Sequence, residues 1–176
     1  MEKVKFKQLT LEDPFFTSLK EDYEGFEDWF HRKNEYEAYI QRKDDGKLEA
    51  LLYLKKEEGI VTDIEPNLPD GKHLKVGTFK IEAHNTKLGE YFIQMIMRMA
   101  IFEQVNDIYV TIFEKHRGLV NLLKRYGFEK YGTKGKPENP ESVYVKPIPS
   151  KCDDLCKCFP FIHTKGKNKY MLSIYC

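Results

Sequence analysis

The sequence predicts an α+β fold on a mixed, mostly antiparallel sheet, and three observations carry that prediction. Two β-rich runs meet at the turn-forming Asp44-Asp45-Gly46. A long apolar helical stripe at residues 88–100 is flanked by β-rich runs at 74–81 and 107–113, which makes a strand-helix-strand unit with parallel strands. A final pair of β-rich runs closes around the Pro137 to Pro140 loop.

Each element has its own local justification. Residues 4–9 alternate apolar and polar as a first strand, and Thr10 with Asp13-Pro14 supplies helix-start chemistry. Phe15, Phe16, Leu19, Tyr23, Phe26, Trp29 and Phe30 recur at helical spacing, in two short helices broken near Gly25. Such an aromatic stripe is read as core rather than as a stacking platform. The second and third strands follow, then a loop with Pro66, Pro69 and Asp70-Gly71.

The fourth strand slips in phase. Leu74 and Val76 place the apolar side on even numbers, Phe79 and Ile81 on odd ones, with Gly77-Thr78 between. A β-bulge at that glycine would absorb the slip; a strand buried on both faces would also produce it. The next helix carries Leu88, Tyr91, Phe92, Met95, Ile96 and Met99 inward, widened by Ile93, Met97 and Ala100. After the fifth strand, a helix with Leu119, Leu122 and Leu123 inward stops at Gly127, a left-handed C-cap position.

The 176 residues fit one domain, here 1–149, with an extension from 150 to 176. The 29 Lys and Arg balance 28 Asp and Glu, which argues against nucleic acid or an acidic membrane face as partner. The N-terminus has no apolar leader and no run is long enough to span a bilayer, so a cytoplasmic location is expected. Cys152, Cys156, Cys158 and Cys176 all fall in the extension, so no disulfide framework staples the main body. With His163 they invite a zinc reading, but their C-x-x-x-C-x-C spacing is not a common zinc knuckle, and no metal is expected. The strand-like "KYMLSIYC" ending reads as the approach to a second domain.

The loop "KIEAHNTKLGEYF" points to chemistry. It joins a strand to an apolar helix and ends Lys87-Leu88-Gly89, offering bare amides and a full positive charge at a helix mouth. A pyrophosphate on a peptide-like arm suits that mouth together with a bulged neighbouring strand. Neither a P-loop nor a dinucleotide glycine pattern is present, and H-E-x-x-H and paired C-x-x-C are absent as well.

Over residues 5–148 the order of elements resembles the GNAT superfamily of N-acetyltransferases. The resemblance is sharpest in "GTFKIEAHNTKLGEYFIQMIMRMA" and "IYVTIFEKHRGLVNLLKRYGFEKYG". "NTKLGE" and "YVTIFEKH" look like a branch of the family sometimes followed by a second domain. It implies a sheet split between its fourth and fifth strands, a bulged fourth strand, and a loop that wraps the acetyl-CoA pyrophosphate. On the family's [RQ]-x-x-G-x-[GA] loop, Gly89 takes the last position, Lys87 the second glycine and His84 the Arg or Gln. The cosubstrate site then comprises Phe79, Lys80, Ile81, Lys87, Leu88, Gly89, Glu90 and His116, with amides of 79–81 holding the thioester oxygen. Glu82 is the candidate base, directly or through water, against its reading as a solvated strand-end carboxylate.

The family's usual general acid is a Tyr, and Leu123 stands at that position, so Tyr126, Tyr131 or Tyr109 would have to replace it, Tyr126 first. The expected activity is acetyl transfer from acetyl-CoA to a primary amine of a small molecule or protein, by direct attack in a ternary complex. No activated Cys lies in the body. A homodimer is compatible with this. Two other readings stand beside it: a non-catalytic acyl-CoA-binding regulatory module, and an RNA-linked adaptor using Lys75, Lys80, Lys87, Arg117, Lys124 and Arg125.

Overall fold

The computed structural model describes residues 1–82 and 87–148. Seven strands form one mixed sheet in the order β1-β2-β3-β4-β5-β7-β6. They are β1 (Glu2–Lys5), β2 (Glu37–Arg42), β3 (Leu48–Glu58), β4 (Lys72–Ile81), β5 (Asp107–Ile112), β6 (Glu129–Lys134) and β7 (Glu141–Pro147). The helices are α1 (Thr17–Asp22), α2 (Phe26–Arg32), α3 (Leu88–Phe102) and α4 (Arg117–Arg125). The described residues form two compact units: 1–54 with 77–82, 87 and 88, and 55–76 with 89–148.

In the first unit, β1 and β2 are antiparallel, and β2 turns back on β3 through the expected Asp-Gly turn, with Gly46 at φ 87°. The first strand is shorter than its alternation suggests. β1 ends at Lys5, and Phe6–Gln8 form a 3₁₀ turn whose Lys5 N–H donates to Gln8 Oε1 at 2.8 Å. The turn swings Phe6 fully inside, edge-on to Trp29, Phe30 and Tyr53 at 5.1–5.6 Å between centroids. Burial of the ring outweighs a longer edge strand. Asp13 caps the next turn as its chemistry predicts, accepting the Phe15 N–H at 2.9 Å with Pro14 in the first position. Gly25 breaks the helices at φ 74°. Phe15, Phe16, Phe26 and Phe30 are core, as read from their spacing.

Gly77 is not among the glycines with positive φ. It is needed for space, since a Cβ there would lie 2.6 Å from the Tyr53 ring.

In the second unit, β4 and β5 pair in parallel from His73↔Asp107 to Val76↔Val110. β5 pairs antiparallel with β7, and β7 with β6 across a register shift at Lys130/Gly132. The buried arc of α3 is Phe92, Ile93, Ile96, Met97 and Ala100. That arc lies one residue further round than the predicted stripe and leaves Tyr91 half-exposed. In α4 the buried residues are Val120 and Leu123 rather than three leucines. The helix closes in a Schellman turn: Gly127, at φ 77°, donates to Lys124 O at 3.0 Å and Phe128 to Leu123 O at 3.1 Å.

The loop between β3 and β4, expected only as a turn-rich connection, is a strapped cover over one sheet face. Val61, Ile64 and Leu68 pack on Tyr109, Val143 and Val145. Glu65 and Thr133 exchange two 2.8 Å backbone bonds, and the Tyr131 hydroxyl donates to Asn67 O at 2.8 Å. Beneath the cover, His73 is buried with Nδ1 2.8 Å from Asp107 Oδ1 and Nε2 3.0 and 3.1 Å from the carbonyls of Gly59 and Pro69.

Candidate functional site

The sequence-nominated residues divide between the two units. Phe79, Lys80, Ile81, Glu82, Lys87 and Leu88 belong to the first, and Gly89, Glu90, His116 and Tyr126 to the second. His84 lies outside the described residues, as do the tail cysteines and His163.

In the first unit, β4 carries Lys80 and places Glu82 directly after its end. Lys80 Nζ lies 3.4 Å from Glu82 Oε1, 4.6 Å from the Phe15 ring centre, and donates to Phe15 O. The Glu82 amide is occupied by Glu49 O at 2.9 Å. Its side chain is 37% exposed, so Glu82 is a half-solvated carboxylate tethered by one lysine. Lys87 is exposed at the start of α3 and begins the turn into Leu88-Gly89-Glu90.

In the second unit, Glu90, Arg125 and Tyr126 come together. Arg125 donates to Glu90 Oε1 at 2.8 Å and stands over the Tyr126 ring at 5.6 Å. Burial, then the Glu90 charge, raises the Tyr126 phenol above its ordinary range, so Tyr126 stays protonated and able to donate. His116 is the N-cap residue of α4. Leu123, at the position where a Tyr was sought, is fully buried.

Sequence reasoning missed two clusters because each joins strands far apart in the chain. At the carboxyl end of β5, Glu114 accepts from the Tyr144 hydroxyl at 2.9 Å and from Lys130 at 3.2 Å. The Ser142 hydrogen bond, then that of Tyr144, holds Glu114 below the usual carboxylate range, while burial and Glu114 push Tyr144 up to about 12.

The other cluster lies under the β3–β4 cover. The Tyr109 phenol donates to Glu57, which also holds Lys55 at 2.6 Å. Asp63 pairs with Lys134 at 2.5 Å and Lys75 at 3.9 Å. Burial alone would raise both carboxyls; the hydrogen bonds to Lys55 and Tyr109, and to Lys134, reverse this and leave Glu57 and Asp63 low. Glu57 and Asp63 also line an open polar cavity of about 340 Å³ with Lys55, Lys56, Glu58, Ile60, Val61 and Thr62. Among the described residues no group of His, Cys, Asp and Glu could hold a metal ion. No helix among them is long and apolar enough to cross a membrane.

No family model matches the chain, and no curated protein matches it in sequence. Solved structures do match. Chaetomium thermophilum Naa20 in complex with a bisubstrate analogue is 15% identical at a TM-score of 0.54, covering 84% of this chain and 87% of that one. The NatC complex bound to Gag peptide and CoA is 13% identical at 0.53, covering 85% and 100%. Arabidopsis thaliana NAA60 in complex with acetyl-CoA is 14% identical at 0.53, covering 74% and 91%. At these identities the likeness is one of fold: the α+β fold of the GNAT N-acetyltransferases.

Proposed function

We propose that this chain, which has the GNAT fold, is an acetyl-CoA-dependent N-acetyltransferase acting on a primary amine by direct attack in a ternary complex. The observation that carries the reading is the β4–α3 unit: a strand followed by Lys87 and the first turn of α3, in the fold of proteins solved with CoA or acetyl-CoA.

In this reading Lys87 and the amides of Leu88, Gly89 and Glu90 meet the pyrophosphate, and His116 borders the cofactor. Amides of Phe79, Lys80 and Ile81 stabilise the oxyanion that forms as the amine adds to the thioester carbon. The attacking nitrogen arrives as an ammonium and leaves as an amide, so it sheds two protons. Glu82 removes one of them, and Tyr126 donates a proton to the departing thiolate of CoA. The acceptor class follows the neighbours, one of which was solved with Gag peptide, so a peptide or small-molecule amine is proposed.

Leu123 favours one alternative, a non-catalytic acyl-CoA-binding module, because a buried leucine donates no proton. Thiol release from acetyl-CoA over a panel of peptide and small amines decides between the two. Turnover supports the transferase; CoA binding with no release on any amine supports the module. The RNA-adaptor reading is weakened by its own cations: Lys75 is paired with Asp63, Lys80 with Glu82 and Arg125 with Glu90.

A further inference from the structure

Resting on the acyl-transfer reading, one proton is still without a destination: the one the acceptor ammonium must lose before it can attack. We propose that Lys75 takes that proton, from an amine that enters through the polar cavity at the carboxyl end of β3 and pairs there with Glu57 and Asp63.

Position is the first support. Lys75 occupies the pair next to last in the parallel ladder, opposite Tyr109, one residue before the final Val76↔Val110 pair. Its side chain is 18% exposed, with the ammonium 5.3 Å from the Tyr109 ring centre and 3.9 Å from Asp63 Oδ2. The charged groups facing it come from every neighbouring element: Glu57 from β3, Asp63 from the cover, Lys134 from β6 and Tyr109 from β5. Glu57 and Asp63 also line the cavity, so a cation bound there shares its carboxylates with Lys75.

Electrostatics is the second support. Burial, then the charge of Lys134, lowers Lys75 below an ordinary lysine, although Glu57 and Asp63 pull the other way. A lysine so placed has a larger neutral fraction near neutral pH than an exposed one, which a proton acceptor requires. The ammonium hydrogen-bonded to Asp63 gives its proton to the Lys75 amine, becoming a neutral nucleophile as Lys75 becomes an ammonium. Lys75 then returns the proton to water through the open cavity.

The test compares Lys75→Arg and Lys75→Met with the full chain, reading kcat/KM against pH and the melting shift with acetyl-CoA. Arginine keeps the charge and the pairing with Asp63 but accepts no proton. Both variants should therefore lose about 100-fold in kcat/KM at pH 7, with the acid limb moved up in pH and the acetyl-CoA shift retained. A tertiary amine such as trimethylamine should restore part of the rate to Lys75→Ala. Full activity in Lys75→Arg with an unmoved acid limb overturns the proposal, because a structural ion pair is all that arginine restores. If the wild-type chain shows no acetyl-CoA shift, the acyl-transfer reading fails, and NMR titration of ¹⁵N-labelled Lys75 with propylammonium tests the cavity alone. A titration midpoint that moves on adding the amine supports the site, and one that stays fixed overturns it.

Discussion

Gly132→Ala is expected to loosen the β3–β4 cover, and the structure gives the size of the effect. A Cβ at Gly132 would sit 2.1 Å from Glu65 O, 2.8 Å from Glu65 C and 2.9 Å from Pro66 Cδ. Two of these are backbone atoms, which cannot rotate aside as a side chain can, so Glu65 must retreat by more than an ångström. That retreat breaks the two 2.8 Å bonds between Glu65 and Thr133, at about 0.5–1.5 kcal/mol each. It also partly uncovers Ile64 and Leu68, now 4% and 1% exposed, at roughly 1 kcal/mol. The sum is roughly 2–4 kcal/mol, on the order of 10 °C in Tm for a chain of this size. Gly118→Ala is the control. It lies in α4 with nothing within 4 Å of its added Cβ, so alanine should leave stability unchanged or raise it by up to about 1 kcal/mol. Urea and thermal unfolding followed by circular dichroism measure both. Gly132→Ala within about 0.5 kcal/mol of wild type, or equal losses at the two glycines, would refute the reasoning.

Three further outcomes are expected. Phe6→Ala, which empties a fully buried ring site contacting Trp29, Phe30 and Tyr53, should cost about 3–5 kcal/mol and change the fluorescence of Trp29, the chain's one tryptophan. Asp63 titrates below its ordinary value when folded, so the stability it lends is full above about pH 4 and is lost as pH falls through the folded value. Asp63→Asn should therefore be less stable than wild type at pH 7, with the gap closing below pH 4 in denaturation curves taken across that range. Leu123→Tyr must fit a phenol into a site with no exposed surface; it should cost about 1–3 kcal/mol by urea unfolding, and thiol release is expected to survive it.

The order of elements was legible because each carries a local signal: Asp44-Asp45-Gly46 names a hairpin, Asp13-Pro14 a helix start, Gly127 a helix stop. What escaped depends on partners distant in sequence. Nothing local in Val4 to Leu9 says that Phe6 will leave the strand to join Trp29 and Phe30. Nothing local to Gly77 says that the Tyr53 ring lies against it and leaves no room for a Cβ. Gly132 looks like an ordinary strand glycine until Glu65 crosses it. The start of α3 was legible because its signal, lysine before glycine at the head of an apolar stripe, is contiguous. The Lys75 cluster was not, because Glu57, Asp63, Lys75, Tyr109 and Lys134 meet only when β3, the cover, β4, β5 and β6 are assembled.

The central claim is that the mouth of α3 binds the pyrophosphate of acetyl-CoA, and melting of the wild-type chain with and without acetyl-CoA, beside Lys87→Glu and Gly89→Trp, tests it most directly. At about a hundred times its dissociation constant the ligand should stabilise the wild type by roughly 2.7 kcal/mol, and both variants should lose most of that gain while melting normally without ligand. A wild-type curve that acetyl-CoA leaves unmoved, or an equal shift in all three proteins, would contradict the account.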